Sequence, residues 1–181
     1  MIRKKYIAAI LFISVTLSVA TNIAPIFFSL PKWIYLNIVG TFLISYSFGP
    51  IIGGIYAGLL NLGLNSVGMG SGIIIYVLLT QIVEAGLIGL LRIKRMQGVL
   101  NTLLIGFLLS IVIKPVSITF YNVFNGEMDG FMNNLSSMYF QYYKTGFTSN
   151  LVTYLISAIT AYAIYEGINK FIMKRKEEII L

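Results

Sequence analysis

The chain contains no cysteine and no histidine. It therefore forms no disulfide, has no thiol nucleophile, and has no zinc site built from His or Cys ligands; the residues call for no metal and no cofactor. Charge is scarce too: only 10% of residues are charged, where a soluble domain carries about a quarter. There is no carboxylate pair at catalytic spacing, no H-E-x-x-H, no G-x-S-x-G and no P-loop. These absences point away from an enzyme, and away from ATP hydrolysis by that route. Internal repeats and low-complexity segments are missing as well. What is present is apolar: 57% of residues are hydrophobic and the mean hydropathy is +0.87. The composition predicts an all-α integral membrane protein. In 181 residues there is room for about six spans of ~20 residues and for no separate soluble domain.

Met1 to Lys5 is a basic start, followed by an apolar run from Tyr6 to Phe28. The basic start, the apolar run and Ser18-Val19-Ala20 have the form of a secretory leader with a cleavage site. The run continues past Ala20 to Phe28, long enough to span, and is read as helix 1. Pro31, Lys32 and Trp33 then form a short loop with an interfacial aromatic anchor. Leu36 to Asn65 is nearly all apolar but is broken by Gly49-Pro50, a joint between helix 2 (Ile34 to Phe48) and helix 3 (Ile51 to Asn65). Gly49, Gly53, Gly54 and Gly58 form two overlapping small-xxx-small pairs, a face that lets another helix approach closely in lipid. Helix 4 is expected over Ile73–Leu91, helix 5 over Val99–Val123 and helix 6 over Phe147–Ile168. Between the last two, Phe131, Leu135, Met138, Tyr139 and Tyr142 recur at helical spacing, so part of that connection is expected along the membrane surface.

Basic residues set the orientation. Ten of the thirteen lie at the N-terminus, between helices 4 and 5, or at the C-terminus. The positive-inside rule puts all three regions in the cytoplasm, as an even number of spans requires. The net charge of +7 then faces anionic headgroups of the lipid bilayer, and no nucleic-acid partner is needed to explain it.

Chemistry should reside in polar residues at depth. Tyr76, Thr80 and Glu84 share a face of helix 4; Ser110, Lys114, Ser117 and Tyr121 share one of helix 5; Asn150, Tyr154, Ser157 and Ala161 share one of helix 6. A polar stripe must face protein or water, so three stripes on consecutive helices most simply face one another. Any single hydroxyl can be mere glue between helices. Lys114 is a stronger signal, because a lysine at mid-membrane costs about 2.5–3.5 kcal/mol unless paired, snorkelling or lining a cavity. Glu84 counts to the inner half of helix 4, where it has a structural alternative in the Asn61 amide.

Six helices with both ends cytoplasmic, Tyr35-Leu36-Asn37, Gly40-Thr41, Phe48-Gly49-Pro50, the glycines to Gly58 and Leu59-Leu60-Asn61 resemble the substrate-specificity (S) component of energy-coupling factor (ECF) transporters. The likeness covers most of the chain in layout and is motif-like over Leu36–Asn65. Helix 1 departs from the family: where an A-x-x-x-A pair is usual, Ala9 is followed by Ile13, and the nearest small pairs are Ser14/Ser18 and Ala20/Ala24. The resemblance implies a binder of a vitamin-like small molecule, working with a membrane coupling subunit and two ATPases. It further implies a site between helices 4, 5 and 6, with a lid at Phe27–Trp33. The substrate-binding residues would be Trp33, Asn65, Tyr76, Thr80, Lys114, Tyr121, Asn150 and Tyr154, and Ser14, Ser18, Gly53 and Gly58 would face the coupling subunit. The plasma membrane of a bacterium is the implied location.

Two other classes fit the residues: a transmembrane ligand-sensing domain, or a small self-sufficient carrier that oligomerises through the glycine face. All three share one topology, which the cysteine-free chain makes simple to test. Single cysteines at 95 and 174 are expected to resist an impermeant thiol reagent added outside intact cells. Labelling of either from outside, or mature protein beginning at Thr21, would overturn the six-span arrangement.

Overall fold

The computed structural model describes residues 2–28, 38–67, 74–93, 99–113, 115–117, 123, 140, 142–144 and 147–180. Within these, side chains are described at 6–21, 38–67, 80–93, 100–113, 115–117, 123, 140, 142–144 and 147–171. The elements are α1 (Ile2–Phe28), α2 (Val39–Phe48), α3 (Pro50–Ser66), α4 (Ile74–Ile93), α5 (Val99–Leu108) and α6 (Phe147–Ile180). α5 runs on into a π-wound turn, Leu109–Ile113. No strand occurs among the described residues. Two stretches, Leu100–Ser117 and Phe147–Phe171, are long and apolar enough to cross a membrane.

α2 is the centre of the fold. Every residue from Val39 to Ser47 is buried, the polar Thr41, Ser45 and Ser47 included. α1, α3, α4 and α6 all pack on it, while α5 packs chiefly on α6. α2 is thus the enclosed element, and α3 is one of the helices that cover it.

Small residues make this enclosure possible. A methyl group on Gly40 would fall on Ser18 Oγ and on the Ser14 carbonyl of α1. One on Gly53 would meet Ser45 Cβ at 2.9 Å, across the α2–α3 pair. One on Gly89 of α4 would lie 2.7 Å from the Gly49 carbonyl carbon, against the α2–α3 joint itself. Gly49 has φ +90°, a conformation that only glycine adopts readily. It closes α2 by donating its N–H to the Ser45 carbonyl at 2.9 Å and opens α3 by accepting from Gly53 N at 3.0 Å. Pro50 follows at the first position of α3, where its missing N–H leaves nothing unsatisfied.

The outside of the bundle is apolar. Phe12, Ile51, Leu59 and Leu100 are 66–76% exposed, whereas Ser14, Ser18, Ser45, Thr102, Ser110 and Ser157 are wholly buried. A water-soluble domain distributes these residue types the other way round. With the two long apolar helices, the pattern favours association with a membrane.

Three element ends differ from the sequence-based expectation. α6 continues past Ile168 to Ile180, because Lys, Arg and Glu are good helix formers and no Gly or Pro interrupts them there. α5 is not one regular helix to Val123: it changes to π winding at Leu109, just before Pro115, which cannot donate to the preceding turn. α1 begins at Ile2 rather than Tyr6.

Gly89 and Gly86 lie on one helix but meet different surroundings: Gly86 has open space where Gly89 has backbone. Gly89→Ala is expected to lower the detergent melting temperature, since overpacking costs about 1–3 kcal/mol. Gly86→Ala should cause no loss. Equal melting of the two variants would show that α4 does not touch the joint.

Candidate functional site between α4, α5 and α6

α5 packs on α6 and touches α4, and one side-chain hydrogen bond joins α6 to α4. Tyr154 of α6 is buried, and its hydroxyl donates to Glu84 Oε1 of α4, which is only 2% exposed. Gly106 of α5 faces this contact, with a methyl there placed at ordinary packing distance, 3.6 Å, from Tyr154 Cβ and from Leu155 Cδ2. Thr80 is buried one turn before Glu84. Ser110 is buried one turn beyond Gly106 and satisfies itself by donating to the Gly106 carbonyl at 3.0 Å. Asn150 lies one turn before Tyr154 and is partly buried. The arrangement provides a carboxylate, an amide and several hydroxyls inside an apolar-surfaced bundle, a set suited to fixing the polar groups of a small molecule by hydrogen bonds.

α2 enters this polar interior too. Tyr46 is fully buried and donates its hydroxyl to Thr102 Oγ1 of α5. Its ring lies edge-on to Tyr162 at 6.0 Å and tilted against Tyr165 at 5.9 Å, both on α6. Ser157 Oγ and Thr41 Oγ1 are buried without a hydrogen-bond partner among the described residues.

Among the substrate-binding residues expected from sequence, Tyr154 makes the contact with Glu84, while Thr80 and Asn150 lie one turn before Glu84 and Tyr154 on their own helices. Asn65 lies near the end of α3, one turn beyond Asn61; α3 packs on α4 and α2, so the fold does not bring Asn65 to the α5–α6 contact. Tyr76 is part of α4, but its side chain lies outside the described set, and Trp33, Lys114 and Tyr121 lie outside the described residues altogether.

The residues proposed to face a coupling subunit are used within the chain. Ser14 and Ser18 are fully buried against Gly40, with Ser18 Oγ 3.2 Å from Tyr56 Oη. Gly53 is filled by Ser45, and Gly58 is buried in the same helix. Their small size serves the approach of α1 and α3 to their neighbours. The Asn61 amide also departs from expectation: it donates to Gln81 Oε1 and to the Ala57 carbonyl, not to Glu84. Gln81 was missed by the stripe argument because it lies beside Thr80, off the face that Thr80 shares with Glu84. Its signal was that an amide within an apolar helix needs a partner. Tyr46 and Thr102 gave a weaker signal, since hydroxyls at those positions fit helix packing equally well.

No family model, no curated protein and no solved structure matches this chain. The geometry of the chain itself is what bears on function.

Removing the Tyr154 hydroxyl leaves a buried acidic side chain with one donor fewer, which costs about 1–3 kcal/mol. Tyr154→Phe is therefore expected to melt earlier in detergent. In a Glu84→Ala background the same change should cost less, because the hydroxyl's partner is already gone. Identical costs in both backgrounds would show that the hydroxyl does not hold α6 on α4.

Proposed function

We propose that this chain is a multi-pass, six-span bacterial plasma-membrane protein that binds a vitamin-like small molecule, as the S component of an energy-coupling factor transporter. A membrane coupling subunit and two ATPases would energise import, since the chain has no P-loop of its own. The observation that carries this reading is the buried polar junction of α4, α5 and α6, joined by Tyr154 and Glu84 within an apolar-surfaced bundle. The expectation that the polar stripes of these helices face one another arose from spacing alone, and the resemblance independently implies a ligand site between the same three helices. The motif-like stretch Leu36–Asn65 supplies α2 and α3, the central helix and its cover.

The coupling surface needs revision under this reading. With Ser14, Ser18 and Gly53 used internally, a partner on α1 would meet its opposite face, where Ala8, Ala9, Phe12 and Val15 are exposed.

The substrate is a flat, partly polar compound bearing a carboxylate, phosphate or electron-rich carbonyl that pairs with Lys114 in the outer half of the membrane. Mass spectrometry of protein purified from cells grown in rich medium should identify a co-purifying small molecule of that kind. Against that compound, Lys114→Met is expected to lose about tenfold to a hundredfold in affinity, the worth of one charge-assisted hydrogen bond. Fluorescence of Trp33, the single tryptophan, reports the binding. Unchanged affinity with a lowered melting temperature would make Lys114 structural and remove helix 5 from the site.

A further inference from the structure

In an unbroken α-helix the Ile111 carbonyl accepts the N–H of residue 115. Here residue 115 is proline and has no N–H. The winding has already loosened to a π turn over Leu109–Ile113, a feature that recurs at functional positions in helices. A hydroxyl from outside the helix reaches the same carbonyl: Tyr143 Oη donates to Ile111 O at 3.2 Å. Tyr143 belongs to the short helical piece 142–144, just before α6. Its ring is 5.0 Å from Phe147, the first residue of α6, and 5.7 Å from Tyr142; Tyr142 is 96% buried and stands 6.3 Å from Phe147. Three aromatic rings thus tie the start of α6 to the piece that holds the end of α5.

We propose that Tyr143 is a latch: by donating to the Ile111 carbonyl, whose α-helical partner at position 115 has no N–H, it keeps the α5 π turn closed against α6 and so controls access to the α4–α5–α6 junction. Breaking this bond lets the π turn part from α6, on which it packs, and exposes Ser110, which sits within the turn and is wholly buried when the latch is made. That the junction receives a ligand rests on the function proposed above, but the latch itself can be tested without any ligand. Its failure would leave the Lys114 binding assay standing, and failure of that assay would leave the latch standing.

The chain's lack of cysteine provides a clean readout. Ser110→Cys and, separately, Ser157→Cys place near-isosteric thiols at two wholly buried sites, the second about 15 Å further along α6 from Phe147 at ~1.5 Å per residue. The full-length protein in detergent is reacted with a small charged methanethiosulfonate. Adding Tyr143→Phe, which keeps the aromatic ring, is expected to speed modification of the thiol at 110 by about threefold to tenfold, the equivalent of one ordinary hydrogen bond. Modification at 157 should stay unchanged. Pro115→Ala restores an N–H beneath Ile111, so in that background Tyr143→Phe should alter the rate at 110 by less than about twofold. An unchanged rate at 110, or equal acceleration at both sites, overturns the proposal. So does an effect of Tyr143→Phe that persists in full beside Pro115→Ala. Should Pro115→Ala fail to fold, the comparison of 110 with 157 decides alone.

Discussion

The fold depends on how closely backbone can approach α2. Apolar side chains gain little from meeting each other rather than lipid tails, so helix association rests on tight packing and on hydrogen bonds across the contact. Gly40 brings α1 close, Gly53 brings α3 close, and Gly89 sets α4 against the Gly49-Pro50 joint. Each contact leaves no room for a methyl group. The consequence is a helix buried from Val39 to Ser47 with four neighbours around it. A single larger side chain at any of these crossings moves a whole helix, because packed interiors transmit displacement rather than absorb it.

Close approach also decides where polar groups can go. Some hydroxyls satisfy themselves within their own helix: Ser45 donates to the Thr41 carbonyl at 2.8 Å, and Thr21 to the Leu17 carbonyl at 2.7 Å. These bonds carry no information about neighbours. Others cross between helices and fix register: Tyr46 with Thr102, Asn61 with Gln81, Tyr154 with Glu84, and Tyr6 with Asn169 at 3.3 Å. Long side chains make the crossing bonds because a tyrosine, glutamine or glutamate can bridge two helix axes, whereas a serine reaches only its own backbone or a neighbour at backbone contact. The candidate site lies among the crossing bonds, so the groups that order the bundle are also those available to a ligand.

The end of α5 follows a different rule. Proline removes a helical donor, the winding loosens ahead of it, and a tyrosine distant in sequence supplies a hydrogen bond to the carbonyl. α5 itself packs along α6, whereas the short piece 142–144 reaches the π turn through the Tyr143 hydroxyl.

Composition and pattern by themselves determined the helical class, the approximate helix positions, the Gly49-Pro50 joint and the polar faces of α4, α5 and α6. All of these follow from local rules: apolar run length, the backbone limits of glycine and proline, and a period of about 3.6 residues. They led to Thr80, Glu84 and Tyr154, because a polar residue within an apolar run is conspicuous in one dimension. Tertiary structure alone decided partnership. Nothing local distinguishes Gly89, which meets backbone, from Gly86, which meets open space. Nothing local assigns Asn61 to Gln81 rather than to Glu84, or Ser14 and Ser18 to Gly40 rather than to another protein. Helical period says which residues share a face, but the neighbour that a face meets depends on the rotation and crossing point of two helices. Those are set by the sum of all close contacts, and no single stretch of sequence contains that sum.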